Sequence, residues 1–287
     1  MPEWSSTMRI DAHQHFWTYS KDAADYGWMG QEMDVLHRDF GPAELAPLLA
    51  EIGFSGSVAV QARESEAEND ALLAQADRSD LVKAVVGWLD LCDPAVETRI
   101  AHYAGRDVFK GVRMLIHDHP DPDFANSDPH RRGVALLEKY GLSYDLLLKP
   151  PHLPSATALV DALPETRFVI DHIAKPRLAE GWDEDWAKGM AAIAQRQNVW
   201  CKLSGMVTEA DWTRWRDAPY TRYLDFVLEH FGAKRLMIGS DWPVALCATD
   251  YAAAMGIVIE WANTLSPEEA DFILGRTCQS FYRIDHP

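Results

Sequence analysis

Met8-Arg9-Ile10-Asp11-Ala12-His13-Gln14-His15-Phe16-Trp17 is the stretch on which the reading of this chain turns. Met8 to His13 predicts a short buried strand, and it runs out into two histidines separated by one residue. Residues two apart on an extended chain project to the same side, so His13 and His15 can face one ion or one substrate. A doubly wound, dinucleotide-type sheet would want a glycine-rich phosphate loop after its first strand. Asp11-Ala12-His13-Gln14-His15 cannot do that job, and this weighs against the open sheet.

Seven more runs of the same kind follow: Ser57 to Gln61, Lys83 to Asp90, Gly111 to Leu115, Ser143 to Leu148, Phe168 to His172, Val199 to Leu203 and Leu236 to Ser240. They are apolar without clear alternation, as parallel strands covered on both faces should be. Helix-like stretches lie between and after them: Asp70 to Arg78, Ser127 to Tyr140, Asp183 to Gln197, Tyr220 to Phe231, Tyr251 to Thr264 and Pro267 to Tyr282. Strands alternating with helical connections predict a closed (β/α)₈ TIM barrel occupying residues 1–287 as a single domain. The longest polar connections are Thr18 to Phe40 and His117 to Arg132. The second is rich in Asp and Pro and reads equally as a cover for the barrel mouth or as a plain surface loop.

The chain has 287 residues, 47% hydrophobic and 25% charged, enough for a large core and typical of an ordered globular protein. Its formal net charge of −17 repels phosphate backbones and anionic lipid, which argues against nucleic-acid and membrane partners. No apolar run approaches the length of a membrane span. Met1 to Thr7 is short and polar and does not read as a signal peptide. Cys92, Cys201, Cys247 and Cys278 are scattered and form no CxxC pair, so they are expected as reduced thiols of a cytoplasmic protein. The oligomeric state is not written in the sequence.

In a barrel, polar residues at the carboxyl ends of the strands share one cup. The first strand brings His13 and His15; the sixth brings Asp171 and His172; the eighth brings Ser240 and Asp241, followed by Trp242 and Pro243. Gln61, Arg113, Asp145 and Lys202 stand at or near the ends of strands two, four, five and seven. Any one of these, alone, reads as an ordinary hydrogen-bonded structural residue. Together, in this order, they read as a site, because each buried charge needs a partner or a ligand. Arg113 and Lys202 are candidates for binding substrate oxygens, or alternatively for internal ion pairs with Asp145 or Asp171. Gln61 both donates and accepts, which suits a polyhydroxylated ring. Among the tryptophans, Trp28 in the long first loop and Trp242 are favoured for the apolar face of such a ring.

The order of these motifs resembles the amidohydrolase superfamily over nearly the whole chain. Ile10-Asp11-Ala12-His13-Gln14-His15-Phe16-Trp17, Val169-Ile170-Asp171-His172 and Ile238-Gly239-Ser240-Asp241-Trp242-Pro243 carry the likeness. Ala59-Val60-Gln61-Ala62-Arg63, Val86-Gly87-Trp88-Leu89-Asp90 and Cys201-Lys202-Leu203-Ser204-Gly205 are similar to its sugar-lactonase branch.

The resemblance implies a hydrolase that opens a small aldonolactone of the L-fucono, L-rhamnono or L-galactono type. Asp241 would take the proton of the attacking water, and His172 would orient or polarise the carbonyl. His13 and His15, with His172 and Asp241, would hold one divalent metal, zinc first among the candidates, or the histidines would bond the carbonyl directly and no metal would be needed. The chain departs from tightly metal-bound members of the superfamily at the fifth strand, which reads Ser143-Tyr144-Asp145-Leu146-Leu147-Leu148-Lys149-Pro150 and ends in no histidine. Lys149 and His152 lie just beyond it. Within the superfamily, an aromatic-acid decarboxylase or a dicarboxylate-lactone hydrolase is the alternative, and either would want more cations in the cup. A barrel that binds a metal or metabolite without turnover is the alternative of another class.

Overall fold

The computed structural model describes residues 8–22 and 26–284; the polar segment Met1 to Thr7 lies outside them. Eight strands follow one another around the sheet in chain order: β1 (Ile10–Gln14), β2 (Gly56–Val60), β3 (Val82–Gly87), β4 (Phe109–Met114), β5 (Ser143–Leu146), β6 (Phe168–Ile170), β7 (Val199–Leu203) and β8 (Leu236–Ile238). Every neighbouring pair is parallel. β8 returns to β1 just past its end, where Asp241 N donates to His13 O at 2.8 Å and His15 N donates to Trp242 O at 2.7 Å. This is the (β/α)₈ barrel that the strand pattern predicts.

The helices are α1 (Pro42–Glu51), α2 (Glu66–Ala76), α3 (Val96–Ala104), α4 (Asp128–Lys139), α5 (Leu153–Ala162), α6 (Glu184–Ile193), α7 (Tyr220–Phe231), α8 (Tyr251–Ala262), α9 (Pro267–Asp271) and α10 (Thr277–Tyr282). Side-chain caps set several of their starts: Ser65 accepts from Ala67 N, Asp183 from Trp186 N and Asp250 from Ala253 N. The stretch expected as one helix from Pro267 to Tyr282 is interrupted by a π turn at Phe272–Arg276. That turn presses Gly275 against the Met8 carbonyl so closely that a side chain there would collide with it.

Two apolar clusters result. The larger fills the space between sheet and helices. The smaller lies inside the barrel and joins Ile10, Ala12, Val58, Val86 and Met237 to Phe281 and Tyr282 of α10. The last helix therefore plugs the floor. The register of β1 against β2 shifts between Asp11 and Gln14. Such a bulge lets two consecutive residues face inward, and here Ala12 joins the inner cluster while His13 reaches Asp171 and Lys202 across the barrel. Asp11 is left facing α8, where it accepts from Tyr251 Oη at 3.1 Å.

Candidate active site

The site rests on a charged layer directly above the inner apolar cluster. Lys202 of β7 is fully buried, with Nζ 2.6 Å from Asp145 Oδ2 and 3.0 Å from Asp171 Oδ1. Tyr282 Oη donates to the same Asp145 oxygen at 2.7 Å. Burial pulls the Lys202 ammonium down, but the two carboxylates more than reverse that, so it stays charged. Burial lifts Asp145 to about 6. Burial acts the same way on Asp171, but Lys202, His13 and Arg113 hold that carboxyl well below its usual value. Arg113 of β4 donates Nη1 to Asp171 Oδ2 at 3.0 Å and a second bond to the Gln61 carbonyl. Both cations form the internal ion pairs, and of the two Arg113 also lines the cavity above.

On that layer stand the histidines. His15 Nδ1 lies 2.8 Å from the Val60 carbonyl, which can only accept, so Nδ1 carries a proton. His13 Nε2 lies 3.3 Å from Arg113 Nη1, which can only donate, so Nε2 is bare and Nδ1 turns its proton to ionised Asp171 at 3.3 Å. This leaves the two Nε2 atoms facing each other at 3.2 Å. Asp241 Oδ1 sits where they converge, 3.2 Å from His15 Nε2, 3.8 Å from His13 Nε2 and 3.7 Å from His172 Nε2. Burial holds His13 and His172 well below the usual histidine value, so both rings are neutral. Burial pushes the Asp241 carboxyl up, but the facing His172 and His15 rings take it below its usual value.

Donor atoms of His13, His172 and Asp241 all lie within 4.8 Å of one another. Neutral imidazoles with bare nitrogens turned toward one carboxylate oxygen form a donor set that fits a divalent cation. His15 Nε2, close to two of those donors, is a further ligand for the same cation.

The backbone explains how His172 and Asp241 reach this point. β6 and β8 are shorter than expected: β6 ends at Ile170, and Asp171 and His172 already belong to a turn. His172, Ile173, Ala174 and Lys175 are consecutive residues at φ 53°, 46°, 58° and 48°. Left-handed backbone costs an L-residue roughly 1–2 kcal/mol, and a run of this kind persists only where the surroundings enforce it. Asp241 is left-handed too (φ 57°), and the Trp242–Pro243 peptide after it is cis. Opposite His172 stands Gly205, at φ 62°, where a Cβ would lie 2.6 Å from His172 Nδ1. Only glycine leaves the ring room to bond Ser204 Oγ at 2.9 Å.

Above the histidines opens a cavity of about 250 Å³ lined by His15, Arg113, His172 and Asp241. Ligand pockets commonly run from about 300 Å³ upward, so this one suits a small molecule. Trp28, 36% exposed, lines it as expected. Three expected substrate contacts do not reach it. Gln61 is buried below and donates to the Arg113 carbonyl at 3.2 Å. Lys202 lies in the charged layer. Trp242 is a core residue, edge-on to Phe40 at 5.2 Å.

Sequence reasoning missed other lining residues: His117, Asp118, Lys175, Glu209 and Trp212. The first two open the loop from His117 to Arg132, so the start of that loop does face the cavity. Lys175 follows His172 by three residues and precedes Pro176, the only local hint of an unusual turn. Glu209 and Trp212 carry no sequence signal. Lys149 pairs with Asp118 at 3.1 Å, and His152 turns back to the Lys149 backbone, so neither joins the histidines.

A (β/α)₈ barrel with paired histidines on β1, a histidine after β6 and an aspartate after β8 defines the class, and the amidohydrolase family model matches residues 10–284: the chain belongs to that family. It is 38% identical to an L-fucono-1,5-lactonase of Burkholderia ambifaria over 288 residues, 98% of this chain and 97% of that one. An L-fucono-1,5-lactonase of Burkholderia multivorans is 39% identical over 292 residues, again 98% and 97% of the two chains. The fold superposes with a TM-score of 0.91 on a zinc-bound crystal structure of a Burkholderia multivorans amidohydrolase, 38% identical, covering 97% of this chain and 100% of that one.

Proposed function

We propose that this chain is a lactonase that hydrolyses a small, uncharged aldonolactone of the L-fucono, L-rhamnono or L-galactono type to the aldonic acid. The observation that carries the reading is Asp241, gathered with three histidines at the wall of a small cavity. Relatives with lactonase names over almost the full chain support it. Both cationic lysine and arginine side chains lining the described cavity already have anionic partners, Arg113 with Asp171 and Lys175 with Glu209. That arrangement favours a neutral ring over the carboxylated substrates of a decarboxylase or a dicarboxylate-lactone hydrolase.

In the reaction, the lactone carbonyl lies over the histidines and a water stands against Asp241. Asp241 takes the water's proton as the hydroxyl oxygen bonds the carbonyl carbon. The carbon–oxygen ester bond of the ring then breaks, and Asp241 returns the proton to the departing alkoxide. His172, fixed by Ser204, and Arg113, fixed by Asp171, orient the carbonyl and stabilise the oxyanion. His13, His15, His172 and Asp241 would hold a divalent cation, for which we propose zinc; when bound, it supplies Lewis acidity at this point. Four free thiols suit a reducing compartment, and we place the enzyme in the cytoplasm. No helix among the described residues is long and apolar enough to cross a membrane.

Acid release from L-fuconolactone, L-rhamnonolactone and L-galactonolactone, followed by titration, tests the reading. A rate above background on at least one is expected, and none on any would sink it. Metal content measured beside activity before and after chelation tests the zinc site. About one zinc per chain whose removal lowers the rate is expected; full activity after complete removal would leave the histidines as hydrogen-bonding groups alone.

A further inference from the structure

The Lys175–Glu209 pair is used by none of the steps above, yet it stands in the wall of the catalytic cavity. Lys175 Nζ meets Glu209 Oε1 at 2.6 Å, with side chains 18% and 23% exposed. The left-handed run that delivers His172 continues without a break to Lys175, so the same strained turn sets both residues. Glu209 closes a short 3₁₀ turn, Val207–Glu209, which follows the Gly205 turn. That turn is tied down by Thr208 Oγ1 donating to Gly205 O at 2.7 Å and Trp212 Nε1 donating to Thr208 O at 3.0 Å. Backbone is therefore ordered on both sides to hold one ion pair against the cavity.

An ion pair in this place does what an apolar pair would not. It adds no net charge, so it neither attracts a carboxylated substrate nor repels a neutral one. It offers a donor and an acceptor side by side. Neighbouring hydroxyls on a ring are spaced close to a hydrogen-bond length, so one can accept from Lys175 Nζ while the next donates to Glu209. Much of the surrounding wall is apolar, built from Trp28, Leu115, Leu147 and Trp212. The other polar pair, His117 with Asp118, opens to the mouth, where Asp118 is 59% exposed and water competes for its oxygens. Apart from Arg113 and the catalytic groups, Lys175 and Glu209 are the better-protected polar pair that a hydroxylated ring meets.

We infer that Lys175 and Glu209 are the specificity pair of this enzyme and recognise two adjacent hydroxyl groups of the lactone ring. The inference rests on the lactonase reading and names what that site selects. Neither residue takes part in bond breaking, so their loss should act on substrates that carry the hydroxyls and spare those that do not.

The test compares L-fuconolactone with δ-valerolactone, a lactone ring without hydroxyls, in the wild type and in Glu209→Gln and Lys175→Met, with urea melts to show that each variant is folded. Each variant is expected to lose about 10- to 100-fold in kcat/KM on L-fuconolactone, chiefly through KM, since bonds to charged groups carry that much. On δ-valerolactone the change should stay within about threefold. Equal losses on both substrates, or none on either, would overturn the inference. If one variant does not fold, the other decides. If neither folds, deoxy analogues of the lactone decide in the wild type: removing either of two adjacent hydroxyls should cost about tenfold or more, and no such adjacent pair would overturn it. A wild type that opens neither lactone removes the lactonase reading and this inference with it. A wild type that opens both, with variants blind to the hydroxyls, removes only the pair's role.

Discussion

Replacing Lys202 by methionine keeps the length of the side chain and removes its charge at a point with no access to water. Its ammonium is the shared partner of Asp145, at 2.6 Å, and Asp171, at 3.0 Å. Without it Asp171 keeps Arg113, but Asp145 keeps only the hydroxyl of Tyr282. Breaking a buried pair by removing one partner costs about 3–5 kcal/mol. With a urea m-value of about 2–3 kcal/mol/M, this lowers the unfolding midpoint by roughly 1–2.5 M. The loss depends on pH with a definite sign. Asp145 already has its folded-state value raised to about 6, and losing Lys202 raises it further. A carboxyl raised in the folded state weakens stability as pH climbs from its unfolded value through its folded one. The midpoint difference between Lys202→Met and wild type should therefore be large at pH 8 and much smaller at pH 5, where Asp145 is protonated. Urea melts followed by far-UV circular dichroism at both pH values measure it. A midpoint within about 0.3 M of wild type at pH 8, or an equal deficit at both pH values, would refute the idea that Lys202 is the charge that makes this layer stable.

Three shorter predictions follow from the site itself. Asp241→Asn, the same shape without a basic oxygen, should lose about 10²–10⁴-fold in kcat on any lactone the enzyme opens; a loss below tenfold would remove Asp241 as the base. Gly205→Ala brings a Cβ to 2.6 Å from His172 Nδ1 at a left-handed position. It should cost about 1–2 kcal/mol in a urea melt and, through a displaced ring, about 10²-fold in kcat; wild-type turnover would show that the orientation of His172 does not matter. Burial keeps His13 and His172 neutral far below pH 6.5, and Asp241 is ionised above a lowered value. The active protonation state should thus persist from pH 8 to pH 5, and kcat/KM corrected for spontaneous hydrolysis should stay within about twofold. An acid limb near pH 6.5 would mean that one of these imidazoles titrates normally.

The strands were legible because a parallel sheet covered on both faces is written as short apolar runs, and β7 begins and ends where its pattern does. The helices were less so. α1, α3 and α5 have no capping side chain, and α1 carries Pro47 inside, so none gives the capping signal that Asp183 gives. The break before α10 follows from the contact of Gly275 with Met8, far away in sequence. At the site, His13, His15, His172 and Asp241 could be named because their types and order are improbable in a core. How deep each strand-end residue sits could not be read. Gln61, Arg113 and Lys202 look alike in sequence, yet only Arg113 reaches the cavity, because depth is set by register around the barrel and by the bulge in β1. Lys175 and Glu209 belong to turns whose backbone is dictated by tertiary contacts, and no local pattern announces them.

The plug formed by α10 has a consequence for the order in which the molecule is built. Tyr282 holds Asp145, Asp145 holds Lys202, and Lys202 stands against His13. The charged layer that seats the histidines is thus anchored by Tyr282, far from His13 along the chain, so a long loop has to close before it is complete. Contacts of such high sequence separation are slow to form. A chain still emerging from the ribosome can pair its early strands, but the floor beneath His13 is finished only when α10 arrives. Catalytic competence should therefore be among the last properties acquired in refolding, appearing after most of the secondary structure has formed.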